Sequence, residues 1–205
     1  PAAERVDARL MIANRTDGAL SESRYADLPE LVRGDELIVL NDTRVVPARL
    51  LGHKPTGGKV ELLVMGPAGP GLVRAMGRAS KPIREGTRVD VGGHELVVHE
   101  VCGDGVYTVA LPDSAGELWP FLDAHGEVPL PPYIAREAGP DADDVARYQT
   151  VFAEHRGSVA APTAGLHFTP ALLDALRERG CETATVTLHV GPGTFLPVRG
   201  DSLVG

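Results

Sequence analysis

Cysteine is scarce: Cys102 and Cys181 are the only two in 205 residues. They form no C-x-x-C pair and share no metal-type spacing with histidine, which excludes a disulfide-stapled or zinc-clustered scaffold and fits a reduced, cytoplasmic setting. Long apolar runs are absent as well, and none approaches the ~20 residues of a membrane-spanning helix. The first residues, Pro1-Ala2-Ala3-Glu4-Arg5, carry an acid and no apolar core, so no signal peptide is expected. There is no internal repeat and no low-complexity tract. The acids of Gly139-Pro140-Asp141-Ala142-Asp143-Asp144 lack a coordination pattern and read as a solvated loop, so no metal is expected there.

Basic charge is in deficit overall but locally in excess. The net charge of −8 argues against indiscriminate nucleic-acid binding. Between Lys54 and Arg88, however, Lys54, Lys59, Arg74, Arg78, Lys81, Arg84 and Arg88 stand against only Glu61 and Glu85. A basic segment on an acidic chain suits a phosphate backbone. Solvated strand faces that keep the protein soluble are the plainer reading.

An apolar fraction of 43% is enough for a sizeable core without staples. Residues 1 to 50 read as mixed α/β. Asp27 is placed to cap a short helix through Leu31 and Val32, ending at Gly34. Glu36–Leu40 reads as a buried strand and Asn41–Arg44 as a polar turn. From residue 51 to about 112 short β-prone runs recur: Lys59–Met65, Leu72–Met76, Thr87–Val91, Glu95–Val101 and Val106–Leu111. Gly92-Gly93 suits a tight hairpin between two of them. This pattern predicts a small all-β barrel or sandwich. Glu117–His125, stopped by Gly126, reads as a helix, and Pro129–Tyr133 as an extended return crossing. The expected architecture is an α/β domain, residues 1–50 and 129–205, interrupted by a β-barrel domain, residues 51–128.

Two loops carry the strongest chemical signal. Ala160–Thr169 and Thr187–Phe195 each follow a β-prone run and break into glycine, proline and threonine beside a histidine. Between them lies a helix with Thr169 as N-cap, Pro170 in its first turn, Leu172, Leu173 and Leu176 on one face, and Gly180 past its end. Strands near Ser158–Ala161 and Ala184–Val190, joined by that helix, are expected to run parallel in one sheet. Ligands of such sheets bind outside the carboxyl edge. Thr163, Gly165, His167, Gly191, Gly193 and Thr194 are expected to converge there. Packed histidines and ordinary glycine turns are the competing reading.

Four segments, taken together and in order, resemble one family. They are Asn41-Asp42-Thr43-Arg44-Val45-Val46-Pro47-Ala48-Arg49-Leu50; Pro129-Leu130-Pro131-Pro132-Tyr133-Ile134 with Arg136; Arg147-Tyr148-Gln149-Thr150-Val151-Phe152-Ala153; and Ala160–Phe168 continuing to Thr187–Phe195. The family is the S-adenosylmethionine:tRNA ribosyltransferase-isomerases of queuosine biosynthesis. The resemblance implies an α/β domain interrupted by a β-barrel. It implies transfer and isomerisation of the ribosyl part of S-adenosylmethionine onto the aminomethyl group of a 7-deazaguanine in a GUN anticodon. Epoxyqueuosine-tRNA forms, and adenine and methionine leave. It implies S-adenosylmethionine as co-substrate with no metal or further cofactor, no membrane, a monomer and a cytoplasmic location.

Such chemistry needs positioned proton donors and acceptors. His167 and His189 are candidates for proton transfer. Asp42 is a candidate proton acceptor or ribose ligand, its plainer role being a turn residue. Arg44 is a candidate clamp for a carboxylate or phosphate, or else a structural ion-pair partner. Thr43, Tyr133, Arg136, Tyr148, Gln149, Thr150, Thr163, Gly165, Phe168, Gly191, Gly193, Thr194 and Phe195 are candidate substrate contacts, the aromatics being as suited to core packing. Arg74, Arg78, Lys81, Arg84 and Arg88 are the candidate tRNA contacts. The family carries further C-terminal α/β elements, with a His-Ser-Glu-Tyr-type stretch and a Gly-Thr-Thr-Ser-Val-Arg-type loop. Neither occurs here, so C-terminal elements are expected to be lacking. A truncated, non-catalytic tRNA- or nucleotide-binding homologue is the alternative.

Overall fold

The computed structural model describes residues 4–131 and 141–195. The first half carries β1 (Arg9–Ala13), β2 (Leu20–Arg24), α1 (Leu28–Leu31), β3 (Leu37–Asn41), β4 (Thr43–Val45), β5 (Arg49–His53), β6 (Lys59–Gly69), β7 (Leu72–Ala79) and β8 (Arg88–Val91). Then come β9 (His94–Gly103), β10 (Val106–Ala110), α2 (Leu118–His125), β11 (Gly126–Glu127), α3 (Ala142–Arg147), β12 (His155–Ser158), α4 (Pro170–Glu178) and β13 (Glu182–Val186). The chain divides into two compact units. One comprises Pro1–Arg44, Ala146–His155 and Ala161–Leu188; the other comprises Val45–Val145, Arg156–Ala160 and His189–Gly205.

The second unit is built on an antiparallel barrel. Its strands run in the order β5-β6-β7-β10-β9-β8, closed by a β5–β8 pairing and extended by β11 beside β5. Alternation makes the barrel: Val60, Leu62 and Val64 of β6 point inward, as do Val89 and Val91 of β8 and Leu96 and Val98 of β9. Gly92 and Gly93 have φ of +59° and +86°, the conformation a two-residue hairpin needs at both positions. Closure depends on Gly52, where a Cβ would lie 2.5 Å from the Asp90 carbonyl oxygen. A bare Cα lets β5 approach β8, where His53 pairs with Asp90. Phe121 and Leu122 of α2 seal the core. Arg156 reaches that helix through hydrogen bonds of 2.9 and 2.6 Å to the Asp123 carboxylate. Those bonds hold Asp123 below the usual carboxylate range.

The first unit is thinner. β3 and β13 form a parallel pair, with Leu37 opposite Glu182 and Asn41 opposite Val186. Leu172 and Leu176 of α4 pack with Cys181, Val6, Tyr25, Leu28, Val32, Ile38 and Phe168. The helix starts as its sequence demands, with the Leu172 N–H donating to Thr169 Oγ1 at 3.1 Å. β1 and β2 form a separate antiparallel hairpin, and β4 pairs with β12.

The barrel, α2 and α4 match expectation, and four readings are corrected. First, the parallel partner of β13 is β3, not a strand at Ser158–Ala161. β12 ends at Ser158, whose hydroxyl donates to the Ala160 carbonyl at 2.7 Å and turns the chain. Second, β3 is not buried on both faces: Leu37 and Val39 are each 57% exposed. Third, within the expected loop 139–144, Ala142, Asp143 and Asp144 open the helix α3, where the Asp144 N–H donates to Asp141 Oδ1 at 2.7 Å and caps the turn; Gly139 and Pro140 lie outside the described residues. Fourth, Asp27 does not cap α1. Its carboxylate instead accepts from Ser23 Oγ at 2.6 Å and from the Arg24 N–H at 3.0 Å.

Candidate functional site

The carboxyl end of the β3–β13 pair gathers the polar residues. The ladder continues one step past β3, with the Asp42 N–H donating to the Val186 carbonyl at 3.0 Å. Asn41 then acts as a peptide mimic: its Nδ2 donates to the Leu188 carbonyl at 2.9 Å and its Oδ1 accepts the Leu188 N–H at 3.0 Å. Asp42 is 5% exposed. Its Oδ1 accepts from the Thr187 hydroxyl at 2.7 Å, and its Oδ2 lies 3.8 Å from His155 Nε2. The Asp42 carbonyl accepts the N–H groups of Glu154 and His155, at 2.7 and 3.2 Å. Arg44 is exposed and donates through Nη2 to the Ala153 carbonyl at 2.8 Å. Thr43 is fully buried.

The loop before α4 belongs to the same unit. Thr163–His167 makes a short 3-10 turn. A Cβ on Gly165 would stand 2.9 Å from Thr150 Cγ2 and 3.0 Å from Phe152 Cζ, so the backbone is pressed directly onto the segment that follows Arg147. Thr150 is buried, and its Oγ1 has no hydrogen-bond partner among the described residues. Tyr148 is buried and Gln149 half-buried. The His167 ring lies 4.6 Å from that of Tyr25, which also meets Phe168 edge-on at 6.1 Å. Arg5 donates to the Leu166 carbonyl at 2.8 Å. Burial and, secondly, the charge of Arg147 press its guanidinium below the usual range.

The other unit holds the rest. His189 is exposed and follows the end of β13, and a Cβ on Gly157 would meet its ring at 2.7 Å. Gly191, Gly193 and Thr194 lie at a second 3-10 turn, Pro192–Phe195, where Thr194 Oγ1 bonds the Gly191 carbonyl at 3.4 Å. Arg74 and Arg78 stand exposed on β7, with Lys81 and Arg84 exposed in the connection to β8. Arg88 pairs with Glu95 at 3.1 Å. Tyr133 and Arg136 lie outside the described residues. The structure thus groups Asp42, Thr43, Arg44, Tyr148, Gln149, Thr150, Thr163, Gly165, His167 and Phe168 in one unit, and His189, Gly191, Gly193, Thr194 and Phe195 in the other.

Sequence reasoning passed over Asn41, Glu154, His155 and Thr187 as site residues. Thr187 offered a usable signal, being the first polar residue after β13 at the carboxyl edge. Asp42, Glu154 and His155 each bring one donor atom within 4.8 Å of the others, the one such trio among the described residues. Two carboxylates and an imidazole suit a divalent cation, but Glu154 and His155 are exposed, as such groups commonly are without an ion. No helix among the described residues is long and apolar enough to cross a membrane.

Residues 1–204 match a family described as queuosine biosynthesis protein. An S-adenosylmethionine:tRNA ribosyltransferase-isomerase from Anaeromyxobacter dehalogenans is 54% identical over 206 residues, covering 99% of this chain and 59% of the relative. One from Chlorobium luteolum is 47% identical over 205 residues, with 99% and 58% covered. The chain therefore spans about three-fifths of the length of these relatives. A crystal structure of an S-adenosylmethionine tRNA ribosyltransferase from Thermotoga maritima aligns with 93% of this chain and 53% of that one, at 22% identity and a TM-score of 0.35. A superposition that loose carries no argument.

Proposed function

We infer the activity from one premise: this chain belongs to the queuosine biosynthesis protein family. On that premise we propose a cytoplasmic enzyme acting on S-adenosylmethionine and on tRNA that carries an aminomethyl-deazaguanine in a GUN anticodon. It transfers and isomerises the ribosyl group, yielding epoxyqueuosine-tRNA, adenine and methionine. The observation that carries this reading is the reach of the match, which runs through both units rather than through the barrel alone.

The roles follow from the chemistry. The sulfonium acidifies the adjacent C5′ hydrogens, so a base must accept one, and adenine leaves most readily when protonated. His167, in the turn before α4, and His189, past the end of β13, are the proposed proton-transfer groups. At the end of β3, Asp42 is proposed to accept a proton or bind a ribose hydroxyl, and Arg44 to clamp a carboxylate or phosphate. Thr43, Tyr148, Gln149, Thr150, Thr163, Gly165 and Phe168 are proposed to shape the substrate contacts on the first unit, and Gly191, Gly193, Thr194 and Phe195 those on the second. The arginines and lysine from Arg74 to Arg88 are proposed to hold the tRNA backbone, with Arg88 least available because of Glu95.

The test is turnover. The protein is mixed with S-adenosylmethionine and tRNA bearing the precursor base, and the products are read by mass spectrometry. Free adenine together with epoxyqueuosine supports the reading. Retained tRNA binding with neither product overturns it in favour of a binding-only homologue.

A further inference from the structure

We propose that the buried Asp42 carboxylate recognises the positive charge of the sulfonium co-substrate, and that Thr187 is the positioning residue that aims it. This rests on the ribosyl-transfer reading above. A buried carboxylate is costly unless it is paired with a cation or held by several donors. Among the described residues Asp42 has one hydrogen-bonding hydroxyl and one ion-pair neighbour, an imidazole that is cationic only when protonated. Thr187 supplies one hydroxyl, at 2.7 Å to Oδ1. That imidazole, His155 Nε2, stands 3.8 Å from Oδ2, within ion-pair range but beyond hydrogen-bonding distance, on a side chain 55% exposed. Arg44, two residues on, points its Nη2 at the Ala153 carbonyl instead. Glu154, within 4.8 Å, adds further negative charge.

The end of the β3–β13 pair thus carries an under-compensated negative charge, with one carboxylate oxygen fixed by a hydroxyl and the other faced by the exposed His155 ring at 3.8 Å without a hydrogen bond to it. A ribose hydroxyl would satisfy that oxygen and leave the charge unbalanced. A sulfonium balances the charge although it has no proton to donate. Its attraction is purely coulombic and gains most where water is excluded. Direction then matters, and direction is what the Thr187 hydroxyl supplies by fixing Oδ1.

The experiment is a pair of binding isotherms on the full chain, for S-adenosylmethionine and for S-adenosylhomocysteine, which lacks the sulfonium charge. Wild-type protein is expected to prefer the charged ligand by about tenfold or more. Thr187→Val is expected to cut that preference to about threefold or less while affinity for the neutral ligand holds, and Thr187→Ser to restore it. Asp42→Asn is expected to abolish the preference; Asp42 is buried, so the Thr187 pair carries the test independently of whether that variant folds. Equal wild-type affinity for the two ligands overturns the proposal, as does a full preference retained in Thr187→Val. Wild-type protein that binds neither ligand overturns the ribosyl-transfer reading with it, whereas the preceding two results leave that reading standing.

Discussion

The barrel unit buries Val60, Leu62, Val64, Val73, Val89, Val91, Leu96, Val98 and Val109 in one closed core. The parallel pair of the other unit leaves Leu37 and Val39 each 57% exposed, Val186 48% and, just past β13, Leu188 66%. Closure removes edges and lets every inward position find neighbours. A parallel pair ordinarily needs cover on both faces, and here α4 covers one. Asp42, Arg44 and His167 belong to the unit with the thinner sheet and His189 to the unit with the barrel, and local opening is expected to cost less around the thinner sheet.

The largest test of that contrast is packing. Leu96→Ala in the barrel is expected to cost about 2–5 kcal/mol, whereas Leu37→Ala on the open face stays within about 0.5 kcal/mol. Denaturant titration of both variants checks this, and equal losses would break the contrast. Next is chemistry. His167→Ala is expected to lower adenine release more than about tenfold while the barrel's unfolding transition is unmoved. A near-wild-type rate would return His167 to its packing role against Tyr25. Third, the triple variant Arg78→Glu, Lys81→Glu, Arg84→Glu is expected to weaken tRNA binding and to lower its salt dependence by roughly two to three contacts, leaving S-adenosylmethionine affinity alone. An unchanged salt titration would make these residues a solvated face.

The smallest effect concerns Glu36, ahead of β3. Its carboxylate accepts the N–H groups of Arg33 and Gly34 at 3.0 and 2.8 Å, and these bonds lower it from 4.5 to about 2. A depressed folded value means the contribution is fully present above the unfolded value and is lost as pH falls through the folded one. Thermal melts of Glu36→Gln should therefore lie slightly below wild type at neutral pH and converge with it as pH drops from 4.5 toward 2. A gap that persists at low pH would assign the loss to packing.

What the sequence displayed was local. Alternation in β6 and β8, the Gly92-Gly93 turn, and the Thr169-Pro170 start of α4 each sit within a few residues of what they determine. The pairing of β13 with β3 joins Val186 to Asn41, residues far apart in sequence, and no nearby residue announces it. Leu37-Ile38-Val39-Leu40 misled because a continuous apolar run reads as a strand covered on both faces. The Asp42–Thr187 contact went unseen for the same reason as the strand pairing that creates it. Asp141 escaped notice as a helix cap because acids near glycine and proline also suit a loop.

Steady-state kinetics on the triple charge-reversal variant and on His167→Ala, with tRNA varied at saturating S-adenosylmethionine, addresses the division of labour directly. The account predicts that charge reversal on the barrel raises KM for tRNA and spares kcat, while His167→Ala lowers kcat and spares KM. Both variants moving the same parameter, or the two effects exchanged, would contradict it.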